Sequence, residues 1–298
     1  MDPGIDDAWA LVVAASRAHL QGVSAVAGNV SLAHTYSNAQ EILRVLDHPE
    51  VSVWPGAANP TLGPLITAEA FHGRSGTGSW QGSSVPFDPG AERVWTHWAQ
   101  SPQSLAKTHL VATGPLTNLA VSLLAFPRLQ NAWQSVTCMC GALPGTQVDK
   151  SQEFNIYVDP HAADVVFHWM DRLQILGINV AHRATIPLSD LPRLHQYGAV
   201  GKMLFEMLDF YSQRSRGEGG NPDAFPIDDV CAVAAAIQPD LFAWVEMPLA
   251  VVREGPLRGT VVVSPLDLNR QPVRVAADVS ANAFRQWVWD SMEPYRTS

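Results

Sequence analysis

The sequence has little cysteine and little charge. Its 298 residues include three cysteines, and charged side chains make up 16% of the chain. Three cysteines are too few for a disulfide framework, and no basic segment followed by an apolar run opens the chain as in a secretory signal. These absences predict a protein of the reducing cytoplasm.

Basic clusters and long apolar runs are also missing. The 19 Lys and Arg residues are outnumbered by 28 Asp and Glu residues, which gives a formal net charge of -9. Nucleic acids are bound through clustered positive charge, so this composition predicts no nucleic-acid partner. No apolar run reaches the roughly 20 residues that cross a bilayer. We therefore expect no membrane association.

Apolar material is plentiful and regularly spaced. Hydrophobic residues make up 47% of the chain, without a repeat or a composition shift, so we expect one domain over residues 1–298. Short apolar runs alternate with segments of helical spacing; the runs are 23–27, 51–54, 109–112, 135–139 and 173–177. This alternation predicts an α/β fold with an open, mainly parallel sheet and helices on both faces.

Such a sheet binds ligands at the carboxyl ends of its strands. Polar residues follow several of the apolar runs: Asn29, Thr113, the segment Glu153-Phe154-Asn155, and His182. We expect His182 to orient the backbone around it. Asp159-Pro160 has the pattern of a helix start, with Asp as the cap and Pro in the first turn.

The start of the chain is acidic. Asp2, Asp6 and Asp7 fall within six residues, around the turn-forming pair Pro3-Gly4. Three carboxylates repel one another unless a cation or sugar hydroxyls compensate their charge. The alternative interpretation is structural, because Asp6 and Asp7 are also typical helix-capping residues. The local sequence leaves both open.

Distant segments favour a site. They are Asp2-Pro3-Gly4-Ile5-Asp6-Asp7-Ala8, Gly28-Asn29, His72-Gly73, Thr113-Gly114-Pro115-Leu116-Thr117-Asn118, Glu153-Phe154-Asn155, Asp159-Pro160, and Asp229 ahead of Cys231-Ala232-Val233. In this order they resemble the inosine-uridine preferring nucleoside hydrolase family over nearly the whole chain. The resemblance implies an enzyme that hydrolyses the N-glycosidic bond of ribonucleosides, commonly as a homodimer or homotetramer.

The resemblance also implies roles for individual residues. A Ca²⁺ ion would be held by Asp2, Asp7, Asp229 and the Thr113 carbonyl, in the oxygen environment that this ion prefers. Asp2 would be the general base that activates the attacking water. The ribose hydroxyls would be bound by Asp6, Asn29, Glu153 and Asn155, and by Gln147 where the family has Asn. His72 matches a pocket residue. Apart from the resemblance, we consider Phe154 or Phe225 for stacking on the base as a substitute for an acid, with plain core packing as the commoner role of a lone aromatic.

Two further departures from the family affect this interpretation. The family has an apolar strand and another Asp just before the segment that begins here at Asp2, so we expect the first strand to be missing from this sequence. Many members carry His before the last metal-ligand Asp, as the acid that protonates the leaving base. Here that residue is Asp228, which becomes the candidate acid if its pKa is raised.

Two other functions stay open at this stage. The first is a noncatalytic nucleoside or ribose binder with the same fold, which the missing strand and Asp228 would favour. The second is a phosphatase of the haloacid dehalogenase type, which pairs an early Asp with a later Asp-Asp such as Asp228-Asp229. Its nucleophile should end an apolar strand and precede a second Asp by two residues, whereas Gly4 occupies that position. We rank it well below the hydrolase.

Overall fold

Strands and helices alternate along most of the chain in the computed structural model, which describes residues 1–83, 85–142, 152–215, 223–264 and 272–297. The strands are β1 (Val23–Ala25), β2 (Val53–Pro55), β3 (His109–Ala112), β4 (Ser135–Met139), β5 (Leu173–Leu176), β6 (Ile186–Pro187), β7 (Ala224–Phe225), β8 (Phe242–Met247), β9 (Leu249–Val251), β10 (Val261–Val263) and β11 (Val273–Val279). All five predicted strand runs are therefore confirmed to within two residues at each end.

Helices connect most of these strands. They are α1 (Ile5–Arg17), α2 (Leu32–Val45), α3 (Glu69–His72), α4 (Val94–Gln100), α5 (Pro102–Leu105), α6 (Thr117–Ala125), α7 (Phe154–Val158), α8 (Pro160–Trp169), α9 (Ile178–Ala181), α10 (Gly198–Ser215), α11 (Asp228–Ile237) and α12 (Ala281–Met292). Short 3-10 helices cover Pro127–Asn131, Leu188–Gln196, Pro239–Leu241 and Glu293–Tyr295. None of the helices in the described part of the chain is long and apolar enough to cross a membrane.

The central sheet has five strands in the order β3-β4-β5-β11-β8. The first four are parallel, and β8 is an antiparallel edge strand paired with β11. The mainly parallel sheet is thus confirmed. A separate parallel pair, β1 and β2, lies beside the acidic segment, where the Met1 ammonium donates to the Ser24 carbonyl at 3.0 Å and the Met1 carbonyl accepts from Val26 N at 3.0 Å.

Alternate residues of the central strands enter two different cores. On β4, Val136 and Cys138 join one buried cluster with α6 and α8, while Met139 joins the other with α1, α10, α11 and α12. Helices therefore cover both faces of the sheet, as the strand pattern predicts. All three cysteines are buried and free.

Helices α1 and α11 run through the interior. Eight residues of α1 and seven of α11 are buried, and the two helices pack against each other. A helix that is apolar on most sides is stable only inside a core. Their packing fixes the N-terminal residues of both helices, Asp6 and Asp7 in one and Asp228 and Asp229 in the other, at one end of the molecule.

Candidate active site

The acidic groups of the two central helices converge. Asp6, Asp7 and Asp229 each offer a carboxylate oxygen, and these atoms lie within 4.8 Å of one another. Asp7 and Asp229 are buried, at 0% and 4% exposure, and Asp6 is half-buried. The positive ends of two helix dipoles face this cluster, which reduces the cost of gathering negative charge without neutralising it.

Asp2 is not one of the three carboxylates within 4.8 Å of one another, but it lies near them, and its charge contributes to the raised pKa of Asp229. Asp2 is 1% exposed, and its Oδ2 accepts a hydrogen bond from the Asn29 backbone N–H at 2.7 Å. Its Oδ1 is buried and has no hydrogen-bond partner within the described residues. Two glycines allow this approach, because a Cβ at Gly28 would lie 2.1 Å from Asp2 Oδ2 and one at Gly114 would lie 2.4 Å from Oδ1.

Asp7 has both a structural and a site role. Its Oδ2 accepts from the Gly4 backbone N–H at 2.9 Å, which satisfies a donor at the start of α1, and from Asn29 Nδ2 at 3.3 Å. Its Oδ1 accepts from the Thr113 hydroxyl at 2.7 Å. The capping interpretation is therefore confirmed for Asp7, and the site interpretation of the same carboxylate stays a prediction.

Burial and repulsion from neighbouring carboxylates disfavour the charged forms of Asp2, Asp6 and Asp229. Burial raises the pKa of Asp2 well above its usual range, and the charge of Asp7 raises it further. Burial, and then Asp7 and Asp228, raise the pKa of Asp6 to about 8. Burial, and then Asp6 and Asp7, raise the pKa of Asp229 well above its usual range. A bound cation would remove this cost.

The donor set fits a hard divalent cation. Every group in the cluster offers oxygen, and the Asp2 Oδ1 atom lacks a partner that a metal would supply. Such an all-oxygen set suits Ca²⁺ or Mg²⁺ rather than a metal that prefers sulfur or imidazole.

The Glu153-Phe154-Asn155 segment lies against the same cluster. The Glu153 carboxylate caps α7, accepting from the backbone N–H groups of Gly141, Asn155 and Ile156 at 2.9, 2.7 and 3.1 Å. These bonds favour its ionised form, but burial outweighs them and raises its pKa to about 7. Phe154 is half-buried beside it.

Asn155 joins the ends of two strands. Its Nδ2 donates to the Thr113 carbonyl at 2.9 Å and to the Met139 carbonyl at 3.0 Å, just beyond β3 and at the end of β4. The carbonyl that the sequence resemblance assigns to the metal is therefore positioned by a predicted sugar-binding residue. Both hydrogens of Asn155 Nδ2 are used, which leaves its Oδ1 for a ligand.

His72 and Asn29 close the side of the cluster opposite the sheet. His72 Nδ1 accepts from the Ile5 backbone N–H at 3.1 Å, so this nitrogen is unprotonated. Burial lowers the pKa of His72 to about 4, against the opposing effect of Asp7. We conclude that His72 is neutral near pH 7 and presents only its Nε2 as a donor.

One predicted residue lies in the core and another lies outside the described residues. Phe225 is 1% exposed and packs in the core with its ring centroid 6.4 Å from that of Trp9, so the prediction that it stacks on the base is wrong. Gln147 lies outside the described residues.

Asp228 is at the start of α11, where its Oδ2 lies 3.4 Å from His182 Nε2. The sequence offers no signal for that pairing, because the two residues are far apart along the chain.

The family can now be assigned. The model of the family described as inosine-uridine preferring nucleoside hydrolase matches residues 1–286. The chain belongs to this family.

Relatives and solved structures agree with the assignment. A pyrimidine-specific ribonucleoside hydrolase RihA of Klebsiella pneumoniae is 35% identical over 296 residues, covering 95% of this chain and 93% of the relative. The RihA of Salmonella typhi is 31% identical, covering 99% and 97%. A purine-preferring ribonucleoside hydrolase from Gardnerella vaginalis has a TM-score of 0.92 at 26% identity, covering 99% and 97%, and a plant nucleoside hydrolase has 0.91 at 26%, covering 98% and 96%.

The chain is therefore a nucleoside hydrolase, an enzyme whose family cleaves the N-glycosidic bond of ribonucleosides. This assignment decides against the phosphatase hypothesis.

Proposed function

We propose that this nucleoside hydrolase uses Asp2 as the general base and a Ca²⁺ ion held by Asp2, Asp7, Asp229 and the Thr113 carbonyl. The observation that carries the proposal is the buried acidic cluster, beside which Asp2 Oδ1 has no partner among the described residues. Burying several carboxylates close together lowers the stability of the fold, so the cluster has no structural benefit. We therefore assign it to binding and catalysis.

The ion would supply positive charge that orients the ribose diol and lowers the pKa of the attacking water. Asp2 then accepts a proton from that water as it attacks the anomeric carbon. The backbone N–H of Asn29 donates to Asp2 Oδ2 at 2.7 Å and fixes the orientation of this carboxylate. This arrangement fixes the base before substrate arrives, which is where positioning lowers the barrier.

The remaining residues would hold the substrate. Asp6, Asn29, Glu153 and Asn155 would bind ribose hydroxyls, with Gln147 as a further partner. Because Asn155 Nδ2 is used by two backbone carbonyls, its Oδ1 would accept a hydrogen bond from a hydroxyl. His72 and Phe154 would contact the base. Asp228 is the candidate acid that would protonate the base as it leaves.

A substrate panel tests this proposal. Purified protein would be stripped with EDTA, resupplied with Ca²⁺ or Mg²⁺, and incubated with uridine, cytidine, inosine and adenosine, while released ribose is measured. We expect ribose release with Ca²⁺, and its loss in Asp2→Asn but not in Asp240→Asn, which changes an exposed Asp. No release from any of the four would contradict the proposal. Light scattering after gel filtration would test the proposed homodimer or homotetramer.

A further inference from the structure

An imidazole and a carboxylate meet at the rim of the cluster. His182 follows α9, which leaves the carboxyl end of β5, and Asp228 begins α11. His182 Nε2 lies 3.4 Å from Asp228 Oδ2, with the side chains 51% and 19% exposed. Asp228 Oδ1 is buried and has no hydrogen-bond partner in the described part of the chain. Asp228 is thus held between the acidic cluster and His182.

The charge of Asp228 reaches the site. It contributes to the raised pKa of Asp6 and to that of Glu153, the two groups proposed to hold ribose. His182 is therefore one side chain away from the sugar-binding carboxylates, on the solvent side.

The surroundings favour the protonated imidazole. Helix α11 and strand β11 pack against α9. Their charged groups are Asp228 and Asp229 on α11, and Arg274 and Asp278 on β11. Asp278 is paired with Arg183 at 2.9 Å, and Arg274 lies over the ring of Trp244. The hydrogen bond to Asp228 raises the pKa of His182, outweighing partial burial.

We propose that His182 is the proton donor to the departing base, and that Asp228 positions it. The proposal rests on the proposed hydrolase function and replaces Asp228 by His182 as the acid. It assigns to Asp228, whose Oδ2 lies 3.4 Å from His182 Nε2, the role of a carboxylate that orients the imidazole.

The proton balance is simple. In the imidazolium, Nε2–H donates to Asp228 Oδ2 and Nδ1–H points to the leaving group. As the bond between the anomeric carbon and the base nitrogen breaks, its electron pair stays on the base, and Nδ1 delivers the proton to that base. The water's hydroxyl goes to the anomeric carbon and its other proton to Asp2. The half-exposed imidazole regains a proton from solvent, and Asp2 releases one.

Leaving-group dependence tests the proposal. The variants are His182→Ala, His182→Gln and, as a control, His168→Ala on α8, which is an exposed histidine. The substrates are uridine, inosine and p-nitrophenyl riboside, whose phenolate leaves readily without a proton. We expect His182→Ala to lower kcat on the nucleosides by about 10²-fold or more, with little change in KM, and its loss on the activated riboside to be at least about ten times smaller.

Two pH measurements complete the test. In Asp228→Asn the high-pH limb of kcat on inosine should move to lower pH, because His182 loses its partner, and in His182→Ala this limb should be lost. NMR titration should show the His182 pKa above its ordinary value in the wild type and lower in Asp228→Asn. Variants would first be compared by circular dichroism and melting temperature.

Three results would overturn the proposal. Equal losses on nucleosides and on the activated riboside would assign His182 a structural role. A high-pH limb that is unchanged in both variants would exclude it as the donor. Wild-type enzyme that cleaves the activated riboside but no nucleoside would also refute a working proton donor, whereas failure on every substrate would refute the proposed function itself.

Discussion

Asp159 fastens the loop after β2 to two helices, and its replacement by Asn should be costly. It is 0% exposed. Its Oδ2 accepts from Thr61 N at 2.7 Å and the Thr117 hydroxyl at 2.8 Å, and its Oδ1 accepts from the Thr61 hydroxyl at 2.6 Å and Ala162 N at 3.0 Å. Each carboxylate oxygen thus faces one backbone N–H and one hydroxyl.

This symmetry leaves an amide no good orientation. A hydroxyl can rotate to accept from an NH₂ group, but a backbone N–H cannot, so either orientation of the substituted amide would set its nitrogen against a backbone donor. One charge-assisted bond is lost, and one buried N–H is left unpaired, at about 1–3 kcal/mol. The dipole of α8 also loses its carboxylate, at about 0.3–1 kcal/mol. We expect Asp159→Asn to lower the free energy of unfolding by about 1–4 kcal/mol.

Urea unfolding followed by circular dichroism would measure the change, with Asp240→Asn at an exposed position as the control. Asn caps helices about as well as Asp does. If Asp159 were only the cap of α8, the two variants would unfold within about 0.5 kcal/mol of each other. That result would refute the argument from the Thr61 and Thr117 bonds.

Three further predictions concern the site. Gly28→Ala should displace Asp2 and abolish ribose release, because its Cβ would lie 2.1 Å from Asp2 Oδ2, whereas exposed Gly90→Ala should not; equal activity in the two would contradict this. Glu153 has its pKa raised from 4.5 to about 7, so the folded state binds its proton more tightly, and stability is lost as pH rises through 7. Between about pH 5 and 8, the free energy of unfolding of EDTA-treated wild type in urea should therefore fall by about 3 kcal/mol relative to that of Glu153→Gln. Parallel pH profiles of the two proteins would contradict the raised pKa of Glu153. Ca²⁺ at about 100 times its Kd should raise the stability of EDTA-treated wild type by about 2.7 kcal/mol and that of Asp229→Asn by much less; equal melting shifts would remove Asp229 from the metal site.

The local sequence determined much of the scaffold. Runs such as 135–139 are apolar, short and closed by Gly, so they predict buried strands whatever packs on them. The Asp159-Pro160 pair predicts the start of α8, because capping depends on neighbouring backbone. The identities of the polar residues after the strands, together with their order, predicted the family.

Long-range packing decided the rest. The sequence predicted strand structure over 241–252, which contains β8, but it did not predict the antiparallel direction of β8 or the helix α10. Strand direction and the burial of a mixed helix depend on partners far away in the sequence. No local pattern pairs His182 with Asp228, or gives both hydrogens of Asn155 Nδ2 to the ends of β3 and β4. The sequence by itself supplied the carboxylates and their helix starts. Only the packing of α1 against α11 brought Asp6, Asp7 and Asp229 within one ion's reach. The same packing raised the pKa of Asp6 and of Asp229, because burial and repulsion depend on distance in space.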